Sequence, residues 1–150
     1  MKKLLNLFLP AVLLHSIAYS QQHDHHAATS MPQAPLSFVG IRSTPLSDPE
    51  LKAYKMESSV MTIIPGGADT VSHRHDCELF GYVLEGAVEI TLGGEQPKVF
   101  KAGEMFFEER NILHSLTRNP DKTRQTKILL IFIIKDGRKG YTRAYPEVKK

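Results

Sequence analysis

The sequence contains no tryptophan and only one cysteine, Cys77, among 150 residues. A single thiol excludes an intramolecular disulfide framework. No apolar run reaches the roughly 20 residues of a membrane-spanning helix, which excludes a polytopic membrane protein. There is no internal repeat, and the composition excludes a collagen and a coiled coil. Charge of one sign is also scarce: 19 Lys+Arg stand against 16 Asp+Glu, a net +3. What is present is globular, with 41% hydrophobic and 23% charged residues in a length suited to one domain. Nine prolines and ten glycines fit short strands and turns better than a helical bundle.

The first twenty residues read as a secretory signal peptide. Lys2 and Lys3 make a positive start, Leu4–Leu14 is apolar apart from Asn6 and Pro10, and Ala18-Tyr19-Ser20 offers small residues at a cleavage site. The stretch is too short to remain as a stable membrane anchor, and no cysteine follows it to carry a lipid. The mature protein is therefore expected to be secreted or periplasmic. Cleavage after Ser20 leaves a net +1, and the six basic and two acidic residues of Lys135–Lys150 put +4 of it in the tail. Residues 21–134 thus carry −3, with no basic face interleaved with aromatics, so nucleic acid is excluded as a partner. The tail reads as a solvated basic end.

Residues 21–35 are polar and lack apolar periodicity, as expected of a flexible leader. They hold the cluster His23-Asp24-His25-His26, read either as a disordered polar tract or as a metal-recruiting one. Beyond the leader the chain is expected to be all-β. Ser59–Ile64, Phe80–Glu85, Ala87–Leu92, Lys98–Lys101, Glu104–Glu108 and Leu113–Thr117 are short strands punctuated by glycines. Gly86 and Gly93-Gly94 mark tight hairpins. The unbroken run Ile128–Ile134, within Lys127–Ile134, predicts a strand buried on both faces. One turn is expected around Asp48–Tyr54. Short strands at this spacing imply a sandwich or barrel spanning 36–134.

His73 and His75 are separated by one residue, so an extended chain turns both imidazoles to one face. His114 opens a later strand, where antiparallel pairing would bring it opposite them. These residues resemble the cupins. Gly67-Ala-Asp-Thr-Val-Ser-His73-Arg-His75, running into Gly81-Tyr-Val-Leu-Glu-Gly86, is similar to the first cupin motif. Gly103-Glu-Met-Phe-Phe-Glu108, continuing to Ile112-Leu113-His114, is similar to the second. The resemblance covers Leu36 to Ile134 and implies a double-stranded β-helix (jelly-roll) barrel with a metal held near one end.

Three departures matter. The motif's glutamate falls at Leu79, and Glu78 is one residue early, on the opposite face of a regular strand. A bulge between His75 and Phe80 would bring Glu78 inward as a tentative fourth ligand. Glu109 stands where proline is common, and Asn111 where glycine is common. Asparagine is the next best residue for a left-handed turn.

Three imidazoles suit zinc, iron, manganese, nickel or copper. They leave coordination positions open, as in catalytic rather than structural sites. Cys77 is read either as a small buried apolar residue or as a thiolate ligand. Leu79, Val83 and Leu116 are candidates to line the pocket, while Phe106, Phe107, Tyr82 and Phe132 read as barrel core. Three functions remain open. The chain is a dioxygenase-like or isomerase-like enzyme on a small molecule, a non-enzymatic small-ligand or metal-binding module of the cell envelope, or a structural barrel, as a monomer or a homodimer.

Overall fold

The computed structural model describes residues 33–144. The expected signal peptide, nearly all of the leader with its histidines, and residues 145–150 lie outside them. The described chain is built from eleven strands and one short 3-10 turn, Pro49–Leu51. In that turn the Asp48 carboxylate accepts from the Glu50 N–H. Among the described residues no helix is long and apolar enough to cross a membrane.

Two antiparallel sheets form the barrel. The five-stranded sheet has the order β1 (Leu36–Pro45), β2 (Tyr54–Ile63), β10 (Thr126–Lys135), β5 (Glu78–Glu85), β8 (Met105–Glu108). The six-stranded sheet has the order β11 (Thr142–Arg143), β4 (His73–Arg74), β9 (His114–Arg118), β6 (Ala87–Leu92), β7 (Lys98–Lys101), with β3 (Ala68–Asp69) on β9. Alternate residues of both sheets point inward and meet in one core, which includes Met61, Ile63, Leu79, Val83, Val88, Ile90, Phe106, Ile128 and Leu130.

β10 is the spine of the first sheet, pairing with β2 over ten residues and with β5 on its other edge. The expectation that it is buried on both faces does not hold. Ile128, Leu130 and Ile134 are buried, whereas Leu129, Ile131 and Ile133 are half-buried. A barrel has a single interior, and among the described residues no layer covers this sheet's outer face. Tyr82 and Phe107, expected in the core, lie on that face and are exposed. β1 escaped the sequence reading because Gly40 and Arg42 flank a register break against β2 that spoils its alternation.

Two glycines set local geometry. Gly81 is the register partner of Phe106. A Cβ there would lie 2.0 Å from the Phe106 ring, so only glycine lets that ring fill the core. Gly86 turns β5 into β6 with φ +78°. Asn111 adopts φ 63°, the left-handed turn expected of it.

Candidate metal centre

The three histidines come together at one end of the barrel. β4 and β9 pair with His73 directly opposite His114. The chain leaves β4 at His75, whose carbonyl is held by the Asn111 N–H at 2.8 Å. The left-handed turn at Asn111 thus ties the second motif to the first. One ligand nitrogen from each histidine lies within 4.8 Å of the other two. His73 and His114 are buried, and the His75 side chain is 12% exposed.

Each ring is oriented by a backbone carbonyl. Val71 O accepts from His73 Nδ1 at 2.7 Å, and Gly140 O from His75 Nδ1 at 2.5 Å. Leu116 O accepts from His114 Nε2 at 2.9 Å, with the Thr117 hydroxyl 2.8 Å from the same nitrogen. A carbonyl oxygen only accepts, so in each ring that nitrogen carries a proton; His73 and His75 offer the other nitrogen inward, while His114 Nδ1 is also hydrogen-bonded to the Glu108 carboxylate. This is the support that fixes the tautomer of metal-bound imidazoles. Burial pushes His73 below the usual histidine range, against the Val71 carbonyl, and the neighbouring His114 and His75 add to the effect.

A carboxylate faces the same point from the other sheet. Glu108, the last residue of β8, is 2% exposed. Its Oε2 lies 3.1 Å from His114 Nδ1 and 3.8 Å from His75 Nε2. Burial would hold His114 down, but the hydrogen bond and charge of Glu108 outweigh it and raise the group. Tyr141, 45% exposed, stacks on His73 with ring centroids 4.6 Å apart. The sequence reading missed Glu108, Gly140 and Tyr141. It took Glu108 as one residue of a core strand and assigned the other two to the solvated tail, although β11 pairs that segment with β4. The polar residue at the inward parity of Phe106 was the only available signal for Glu108.

Glu78 is placed elsewhere. It pairs with Ile133 on the outward register of β5 and is exposed, because β5 runs without a bulge from Glu78 to Val83 against β10. Of the candidate lining residues, Leu79 lines the cavity beside the histidines; Val83 lies wholly within the core, and Leu116 is half-buried away from the cavity wall. Cys77 is 1% exposed and is not part of the converging group. Burial, followed by the charges of Asp76, Glu108 and Glu57, pushes its thiol up to about 11, against Arg138. It therefore packs as a neutral small residue.

The cavity over the histidines has a volume of about 320 Å³. Met61, Phe106, Leu130, Phe132 and Ile134 make its walls largely apolar, and among the described residues no Lys or Arg side chain lines it. An apolar pocket with a few convergent polar groups is the usual form of a small-molecule site.

Fold and site together define a single-barrel protein with a triple-imidazole centre inside. The family described as Cupin domain matches residues 59–132, from β2 through both histidine motifs into β10. The chain belongs to the cupin superfamily. No curated protein matches it. Among solved structures it is similar to a Klebsiella pneumoniae protein with a double-stranded β-helix domain, at 16% identity and a TM-score of 0.57, covering 73% of this chain and 84% of that one. KdgF from a Halomonas species matches at 18% identity and a TM-score of 0.53, covering 71% and 86%. The DMSP lyase DddQ from Ruegeria pomeroyi matches at 23% identity and a TM-score of 0.52, covering 61% and 44%. At these identities the likeness concerns the fold.

Proposed function

We propose that this protein is an exported cupin whose His73, His75 and His114 hold one divalent transition metal, and that it binds and transforms a small, largely uncharged molecule at that ion. One observation carries the reading. Three imidazoles on two chain segments each donate one ring N–H to a backbone carbonyl, and one nitrogen of each lies within 4.8 Å of the other two. A bound ion would act as a Lewis acid on an oxygen of the ligand or bring a second reactant beside it. The chain's part is to hold the rings, exclude water with Phe106, Phe132 and Leu130, and admit the ligand past Tyr141. The absence of Lys and Arg from the described lining favours a neutral, phenol-like or keto-bearing ligand over a phosphate or polyacid. The lyase named among the similar structures is consistent with small-molecule chemistry in this fold.

The test is metal analysis of untagged protein after reconstitution with zinc, iron, manganese, nickel and copper in turn. About one equivalent of at least one ion is expected, and less than about a tenth of an equivalent for every ion would sink the metal site. Oxygen uptake and ultraviolet spectra with catechols, flavonols and keto-acids then separate an enzyme from a binding module. For export, the N-terminus of protein recovered from the producing cells should begin near Gln21, and an intact Met1 would contradict it.

The same reading includes a homodimer formed through the outer face of the five-stranded sheet. Val39, Tyr82, Met105 and Phe107 are exposed there beside half-buried Leu129 and Ile131. The five strands hold 42 residues, which at about 4.8 Å by 3.3 Å each make a face of roughly 670 Å². That lies within the roughly 600–1,000 Å² each partner buries in a standard interface. Light scattering of protein starting at Gln21 should give twice the chain mass, and Ile131→Lys should halve it. A monomeric parent would refute the dimer.

A further inference from the structure

We infer that Glu108 is a fourth protein donor to the ion held by the three histidines, supplying a carboxylate oxygen from the opposite sheet. The inference rests on the metal reading above and concerns a residue outside the three histidines.

The first observation is a buried carboxylate aimed at the histidines. With Val71 O, Gly140 O and Leu116 O each taking one ring N–H, the nitrogens left over are His73 Nε2, His75 Nε2 and His114 Nδ1. Glu108 Oε2 faces two of them, hydrogen-bonded to His114 Nδ1 at 3.1 Å and standing 3.8 Å from His75 Nε2. A cation bound at this point would take the place of the proton that His114 and Glu108 share. Among the described residues no Lys or Arg forms an ion pair with Glu108; its charged contacts are the two imidazoles. A carboxylate only 2% exposed must be paired, protonated or bound to metal, because an isolated buried charge is too costly.

The second observation is distance. Two donors each about 2.1 Å from one ion stand about 3.0 Å apart at a right angle and about 3.4 Å apart at the tetrahedral angle. The 3.1 Å separation from His114 falls within that span, and the 3.8 Å separation from His75 lies a few tenths of an ångström beyond it. The third is rigidity: Glu108 ends a strand that pairs with β5 at Leu79↔Glu108, so its backbone is fixed by the sheet. Three neutral imidazoles and one carboxylate form a harder donor set than three imidazoles alone, which shifts preference toward Fe(II) and Mn(II).

The experiment compares the protein with Glu108→Gln, which preserves shape and one oxygen but removes the charge. Mn(II) affinity is followed by calorimetry and coordination by the absorption spectrum of the Co(II)-loaded protein. Mn(II) binding is expected to weaken by about 10–100-fold, with a smaller loss for Zn(II) and an altered Co(II) spectrum. Wild-type protein that binds metal beside a variant matching it within twofold, with an unchanged Co(II) spectrum, overturns the inference and leaves the three-histidine site standing. Wild-type protein that binds no metal overturns both. If Glu108→Gln does not fold by circular dichroism, Glu108→Asp decides in its place. Withdrawing the carboxylate by one methylene should also weaken Mn(II) and change the Co(II) spectrum, and no change in either refutes the role.

Discussion

Two buried polar clusters lie in this barrel, and they are built on opposite principles. Around Asn119, which is wholly buried, every group is matched. Its amide donates to Ile63 O, Ile64 O and Arg124 O, its oxygen accepts from the Asp121 N–H, and its own N–H reaches Gly67 O. Around the histidines the count does not close: His114 Nδ1 is hydrogen-bonded to Glu108 at 3.1 Å, but among the described residues His73 Nε2 and His75 Nε2 have no hydrogen-bond partner. A closed cluster joins the end of β2 to the loop before β10 and needs nothing more. An open one, held rigid, is a place for something else. The distinction separates a buried polar residue that stabilises from one that binds, and burial alone does not make it.

The largest effect should come from breaking the closed cluster. Asn119→Ala strands three carbonyls and one N–H, and at about 1–3 kcal/mol for each buried group left unpaired the loss should be at least about 4 kcal/mol. Urea unfolding measures it, and the metal affinity of the folded fraction should be unchanged. Breaking the open cluster should do the reverse. Replacing the pair together, His114→Leu with Glu108→Leu, should weaken metal binding by at least about 100-fold, or about 2.7 kcal/mol, while the metal-free fold changes by less than about 1 kcal/mol, since a buried ionic pair often exchanges for apolar residues at little cost. A metal-free double variant destabilised as much as Asn119→Ala would erase the distinction. Tyr141→Ala removes the stack on His73, worth about 0.5–1.5 kcal/mol, and should weaken metal binding about 2–10-fold in the same titration.

The smallest effect is a pH dependence at the rim of the closed cluster. The Thr123 N–H and hydroxyl, then Arg124, hold the Asp121 carboxyl well below its ordinary 3.8. A depressed carboxylate contributes stability that is complete above the unfolded value and drains away as acid lowers the pH toward the folded one. The stability gap between the parent and Asp121→Asn should therefore be constant above about pH 5 and close as the pH falls below about 4. A gap undiminished at pH 2 would show that the aspartate acts through shape rather than charge.

Much of this was legible in the chain. The strands from Ala87 to Leu92 and from Lys98 to Lys101 end where the glycines and polar turns say they should. His73, His75 and His114 were found by strand parity and by their resemblance to the cupin motifs. What escaped notice depended on pairing between distant segments. Leu79 occupies the position where the first motif carries its glutamate, and the carboxylate that faces the histidines is Glu108, directly across the ladder. Parity assigns a residue to a face, but it cannot say which neighbouring strand supplies the missing group. Gly140 and Tyr141 were hidden for the same reason, since a basic segment gives no sign that it will fold back over β4. The outward Glu78 follows from the absence of a bulge, which local sequence did not decide.

The Gly140 carbonyl is the part of the His75 support that comes from furthest away, 65 residues along the chain. His73 and His75 are synthesised early, but until β11 closes over β4 the second imidazole is free to rotate and to present either nitrogen. A chain folding from one end would thus carry its motif for some time without a selective site. Closure of the clasp comes late because long loops must be ordered first. Metal choice would then be made by the finished barrel rather than by the nascent chain, so that the order of assembly protects the site from whichever ion binds loose histidines most tightly.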